Sequence, residues 1–205
     1  MDKQTVDIPT EDGVADAYLV RPDGTGPWPG VLLFQDGFGL RPRLFEMADR
    51  IAEHGYVVLA PNLFYRAGRA PVVDVTGLLD PERRGAIFGQ VMPLIQQLTP
   101  ELITRDARAY LDFLDAQPGV ARGPEGIVGY CMGALNALRA MEAFPERIAA
   151  LESELDAAGV SYTSELYKGA PHGFTMADTA SYNEEGEKRH WDELFALFDR
   201  TLAAR

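Results

Sequence analysis

The chain is poor in the residues that staple a fold or bind metals. It has one cysteine and three histidines in 205 residues. A lone thiol forms no internal disulfide and suits a reducing compartment, so a cytoplasmic location is expected. Basic clusters are missing as well. Nineteen lysines and arginines stand against thirty-one acids, for a net charge of −12. That balance argues against nucleic acid and anionic membranes as partners. The first residues, MDKQTVDIPTEDG, lack the apolar stretch of a secretory signal. No apolar run approaches the roughly 20 residues of a membrane span. Repeats, low-complexity tracts and a second-domain linker are also absent. The expectation is a single domain over residues 1–205, a monomer or small homo-oligomer, with no cofactor and no metal.

What is present is a βαβ pattern. With 46% hydrophobic residues the chain can fill one core. Thr5–Ile8 and Ala15–Val20, joined through Glu11-Asp12-Gly13, read as an antiparallel hairpin. Val31–Phe34 is a continuous apolar run of the kind that forms a strand buried on both faces. Arg41–His54 has helical spacing with Leu44, Met47, Ala48 and Ile51 on one face, and Gly55 supplies its stop. Tyr56–Ala60 is the next buried strand, so a parallel sheet follows. Helices are predicted over 81–98, 100–117, 134–144 and 145–158. A final strand is predicted over 161–167, then a closing amphipathic helix over 182–204 with Trp191, Leu194, Phe195, Phe198 and Leu202 facing in.

The stretch Gly126–Gly133, GIVGYCMG, carries the chemistry. A short strand, a turn with glycines two places either side of Cys131, and a helix form the context of a nucleophile elbow. The glycines let strand and helix approach without collision. In an open parallel sheet, reactive groups gather at the C-terminal ends of strands. Three such ends hold Asp36-Gly37, Cys131 and His172. A thiol becomes a strong nucleophile when an imidazole takes its proton, and the order nucleophile then histidine suits this architecture. The backbone N–H groups of Met132 and Gly37 are the expected oxyanion hole. Asp36 reads either as a site carboxylate or as a turn-former before Gly37. Phe38, Tyr130 and Arg84 are candidate substrate contacts. Arg66, Arg69 and Arg83 read either as cations that orient an anionic substrate or, more readily for any one of them, as solvated surface arginines, and Glu184, Glu185 and Glu187 as a solvated helix start. His54 belongs to a helix end and His190 to a helix surface.

Four stretches, QDGFGLRP (35–42), HGYVVLAPNLFYR (54–66), VGYCMGALNALRA (128–140) and PHGFTM (171–176), resemble the dienelactone hydrolase family of α/β-hydrolases. The resemblance covers nearly the whole chain, and the cysteine elbow is its most specific part. It implies a Cys-His-Asp triad that hydrolyses small-molecule esters or lactones without a cofactor. On matching positions Cys131 is the nucleophile and His172 the base. Asp36 stands where the family often has a glutamate that contacts the nucleophile. Three departures accompany the match. The segment between elbow helix and last strand that would carry the triad aspartate is missing, and Glu154 and Asp156 are poor replacements. Met176 stands where the family has an arginine, and Ala134 where it has a glycine. The expected fold is therefore an α/β-hydrolase-like, mostly parallel sheet of about six strands, with helices on both faces. Hydrolysis through a Cys131–His172 dyad is the first reading. A relative that keeps the pocket but binds ligand without turnover is the second, and a redox-responsive thiol at Cys131 is the third.

Overall fold

The computed structural model describes residues 1–144 and 167–202. Five strands and five helices lie among them: β1 (Asp2–Thr10), β2 (Gly13–Arg21), β3 (Gly30–Phe34), α1 (Pro42–Glu53), β4 (Val57–Pro61), α2 (Pro81–Gln97), α3 (Pro100–Asp115), β5 (Gly126–Gly129), α4 (Met132–Ala143) and α5 (Glu184–Thr201). The predicted helix 145–158 and nearly all of the predicted strand 161–167 lie outside the described residues, so the expected sixth strand is not among them.

The strands form one sheet in the order β1-β2-β4-β3-β5. β1 pairs antiparallel with β2, which pairs antiparallel with β4. β3 then runs parallel to both β4 and β5. The inner strands have apolar side chains on both faces because both faces are covered. Leu32 and Phe34 of β3, with Val57 and Leu59 of β4, join α3 and α4 in one cluster. The alternate residues, Val31, Leu33, Val58 and Ala60, join α1 and α5 in another. Trp191, Phe198 and Leu202 are buried in this second cluster, with Leu194 and Phe195 packed beside them.

Helix boundaries follow local chemistry. Pro42, Pro81 and Pro100 open α1, α2 and α3, where the missing N–H costs nothing. The side chains of Asp80 and Thr99 accept from the amides of Glu82 and Leu102 and cap α2 and α3. After α1, Gly55 takes a φ of 94°, which ends the helix and redirects the chain into β4.

The tightest packing is at the β5–α4 turn. A β-carbon at Gly129 would lie 2.1 Å from the carbonyl oxygen of Gly133. One at Gly133 would lie 2.4 Å from the carbonyl oxygen of Gln35 and 2.7 Å from that of Phe34. These neighbours are backbone and cannot swing aside. Gly85, on α2, meets nothing within 4 Å. We predict that Gly133→Ala lowers unfolding free energy in urea by about 2–3 kcal/mol, as overpacking does. Gly85→Ala should leave it unchanged or raise it by up to ~1 kcal/mol. Equal stabilities for the two variants would contradict this packing.

Candidate active site

Cys131 stands between β5 and α4 with φ 56° and ψ −118°, the one non-glycine residue with positive φ among the described residues. Such a conformation costs about 1–3 kcal/mol and persists only where the surroundings impose it. Here the glycine contacts at 129 and 133 impose it, and the cysteine side is left exposed. The amide of Gly133 donates to Tyr130 O (2.8 Å) and that of Ala134 to Cys131 O (3.1 Å). The N–H of Met132, at the first position of α4, has no acceptor within the helix. The close seat of Gly133 on the carbonyls of Phe34 and Gln35 fixes this helix start against the loop that carries Gly37.

A cavity of about 660 Å³ opens over the elbow, and Cys131, His172, Asp36, Gly37, Phe38, Tyr130 and Arg84 all line it. The structure thus gathers on one wall every residue picked from the sequence except Met132, which follows Cys131 directly. Arg84 donates through Nε to Leu78 O (3.3 Å). Among the described residues it has no ion-pair partner, unlike Arg66, Arg69 and Arg41.

His172 is exposed, in a run of turns with Gly173 at φ 85°. Two arginines at the start of α1 clamp that run to the body. Arg41 is 2% exposed and bridges two carboxylates. Its Nη1 and Nη2 donate to Asp36 at 2.6 and 3.0 Å, and its Nε and Nη2 donate to Asp178 at 2.6 and 3.1 Å. Arg43 donates to the carbonyl of Thr175 (2.7 Å) and pairs with Glu187. The loop bearing His172 is therefore tied to the loop bearing Gly37 through Arg41, whose fork-shaped pair with Asp36 is buried and that with Asp178 part-buried.

This geometry revises Asp36. Its carboxylate accepts from Arg41 twice and from the Phe38 amide (3.0 Å). No hydrogen bond joins it to Cys131 among the described residues. Asp36 shapes the loop through the Phe38 amide and anchors Arg41, while it also lines the cavity. Cys131 and His172 likewise share the cavity without a direct hydrogen bond, a looseness common in unliganded sites. Met176, in place of an arginine, is buried with its sulfur 3.9 Å from Arg41 Nη2.

Three further residues differ from expectation. Glu187 is buried instead of solvated, because it accepts from Tyr182 Oη (2.7 Å), Trp191 Nε1 (3.1 Å) and Arg43. Glu184 and Glu185 are exposed as expected. Arg66 bridges Asp12 and Asp106 and stacks on Tyr65, well occupied rather than solvated. His190 is no surface residue. It lines the cavity with its Nε2 2.9 Å from Oη of Tyr130, the residue before Cys131. Its place four residues before Leu194 puts it beside the inward helix face, a signal the spacing already held. Burial pushes its imidazole down to about 4, with Arg50 adding to the shift and Glu187 opposing it. Burial also raises the Tyr130 phenol, so this pair is neutral near pH 7. His54 caps α1 and stacks on Phe195 (3.5 Å), a structural role.

The sequence matches the dienelactone hydrolase family over residues 15–150 and 142–202. A provisionally named carboxymethylenebutenolidase of Methylorubrum extorquens is 34% identical over 62% of this chain and 40% of that protein. One of Synechocystis is 25% identical over 96% of both chains, in an alignment of 237 positions. That alignment is longer than the 205 residues here, so the relative carries residues that this chain lacks. The two matched stretches overlap at residues 142–150. The carboxymethylenebutenolidase of Rhodococcus opacus is 29% identical over 65% of this chain and 46% of that protein. Among solved structures, a dienelactone hydrolase-like promiscuous phosphotriesterase from metagenomic libraries superposes with a TM-score of 0.77 at 20% identity, covering 98% of both chains. At that identity the likeness concerns the fold, which is that of the α/β-hydrolases.

Acid should expose the buried His190. Its folded-state value of about 4 lies below the ordinary 6.5. Between those limits the unfolded chain binds a proton that the folded one does not, so stability falls as pH drops from about 6.5 to 4. The slope from this one group is up to about 1.4 kcal/mol per pH unit. His190→Gln should lose less stability than wild type across that window in urea titrations. Parallel losses would show that His190 is not held neutral.

Proposed function

Because the chain belongs to the dienelactone hydrolase family, we propose that it hydrolyses carboxylic ester or lactone bonds, with Cys131 as nucleophile and His172 as base. The observation that carries this reading is the strained, exposed Cys131 on a cavity that His172 also lines. His172 takes the thiol proton as sulfur attacks the carbonyl carbon. The carbonyl oxygen becomes an oxyanion held by the Gly37 and Met132 amides, donors in place before charge develops. The intermediate collapses, the C–O bond breaks, and His172 returns the proton to the leaving alcohol. Water then attacks the thioester with His172 again as base. The acid leaves, and Cys131 recovers its proton. Arg84, the cavity-lining arginine with no ion-pair partner among the described residues, is the cation available to an anionic substrate group.

Among the described residues no carboxylate hydrogen-bonds His172. Loss of the orienting acid costs a serine triad about 10⁴-fold in turnover, whereas a thiol depends less on its base. In its place, the Arg41 and Arg43 clamps limit how far the histidine loop moves. The second reading, ligand capture without turnover, draws on the residues this chain lacks relative to Synechocystis.

Stopped-flow assay with p-nitrophenyl acetate separates the two. Wild type should release a burst of one equivalent and then turn over. Cys131→Ala should abolish both phases, and His172→Ala should slow them by roughly 10²–10⁴. A burst with no later turnover favours the binding reading. Wild-type rates in Cys131→Ala would refute both.

A further inference from the structure

Helix α2 carries Phe88, Val91, Met92 and Ile95, spaced i, i+3, i+4 and i+7, and therefore on one face. All four line the cavity that holds Cys131. On the protein side α2 has a small partner. Ile87 and Val91 pack with Val73 and Leu78 in a cluster separate from the two that sandwich the sheet. Phe88 and Met92 remain 45% and 44% exposed. Single exposed apolar side chains need no explanation. A stripe of four that fronts a cavity does, because what it faces is the space over a nucleophile.

The stripe also lies beside the proposed reaction centre. A β-carbon at Gly37 would lie 3.1 Å from Ile95 Cδ1, so the stripe abuts the proposed oxyanion hole. Phe88 meets Phe38 edge-on at 5.3 Å, extending the same wall. The leaving group must point toward His172 to receive its proton. With the carbonyl oxygen at the Gly37 amide and the leaving group toward His172, the stripe beside Gly37 is open to the acyl part of the substrate. A cavity of about 660 Å³ leaves room there for a substantial group.

We infer that the stripe of α2 is an acyl-binding wall, and that the substrate is an ester or lactone whose acyl part is an apolar chain or ring. This rests on the hydrolase reading above. Phe88 and Met92 set selectivity for the length of that group. Gly85, Gly89 and Pro93 make α2 a poor helix by propensity, so an apolar acyl group that fills the stripe also supplies packing that the helix lacks.

The test is the dependence of kcat/KM on acyl length across p-nitrophenyl acetate, butyrate, hexanoate and octanoate. For wild type it should rise by up to about fourfold per added methylene until the wall is covered, the factor set by burying one CH₂. The double variant Phe88→Ser, Met92→Ser should flatten that rise. Leu135→Ser, a change at an exposed leucine of α4 that does not line the cavity, should keep it. Acetate turnover with no rise in wild type, or an unchanged rise in the double variant, would overturn the acyl wall and leave the hydrolase reading standing. Absence of turnover with every ester would sink the hydrolase reading instead. The wall is then judged by calorimetric binding of sodium octanoate against sodium acetate. Tighter octanoate binding, lost in the double variant, supports it, and equal binding overturns it.

Discussion

The site depends on how closely α4 approaches β3. The start of α4 sits on the carbonyls of Phe34 and Gln35 at a separation that leaves no room for a β-carbon at position 133. That contact tightens the turn after β5, forces Cys131 to positive φ, and leaves the first amide of α4 free beside the loop of Gly37. The exposed, positive-φ placement of Cys131 and the free Met132 amide are thus consequences of a single steric fact. Strain of this kind is stored where the surrounding core over-determines the backbone. The core does so here with strands buried on both faces.

The loop of His172 is held differently. His172 sits on turns, and what connects them to the body is charge. Arg41 is buried between Asp36 and Asp178, and Arg43 joins Thr175 and Glu187. Removing Arg41 would leave the buried Asp36 without its counter-charge, at a cost of about 3–5 kcal/mol. The same bridge gives Asp36 its task. In a chain that lacks residues its relatives carry, this clamp restricts the loop of the base, while the neutral Tyr130–His190 pair backs the elbow from the other side.

Much of this was legible in the sequence for identifiable reasons. The elbow is a local pattern, four residues of spacing with steric meaning, and the structure reproduces it. The buried strands and the faces of α1 and α5 follow from periodicity, which is also local. Arg41 was opaque because its partner Asp178 lies 137 residues away, and nothing near Arg41 distinguishes it from a surface arginine. Glu187 was misread for the same reason, since Arg43 is a distant partner. His190 is a different failure. Its place four residues before Leu194 set it beside the inward face, but a polar residue was assigned to the surface by type. The apolar stripe of α2 was readable as a helix, yet only the fold shows that its partner is a cavity.

Whether thiol and imidazole work as a pair is tested most directly by alkylation of Cys131 with iodoacetamide at pH 7, quantified by peptide mass, in wild type and His172→Ala. A paired thiol should be modified at least ten times faster in wild type, because His172 removes its proton. Equal rates in the two proteins would mean that His172 does not serve Cys131, and the proposed dyad would be wrong.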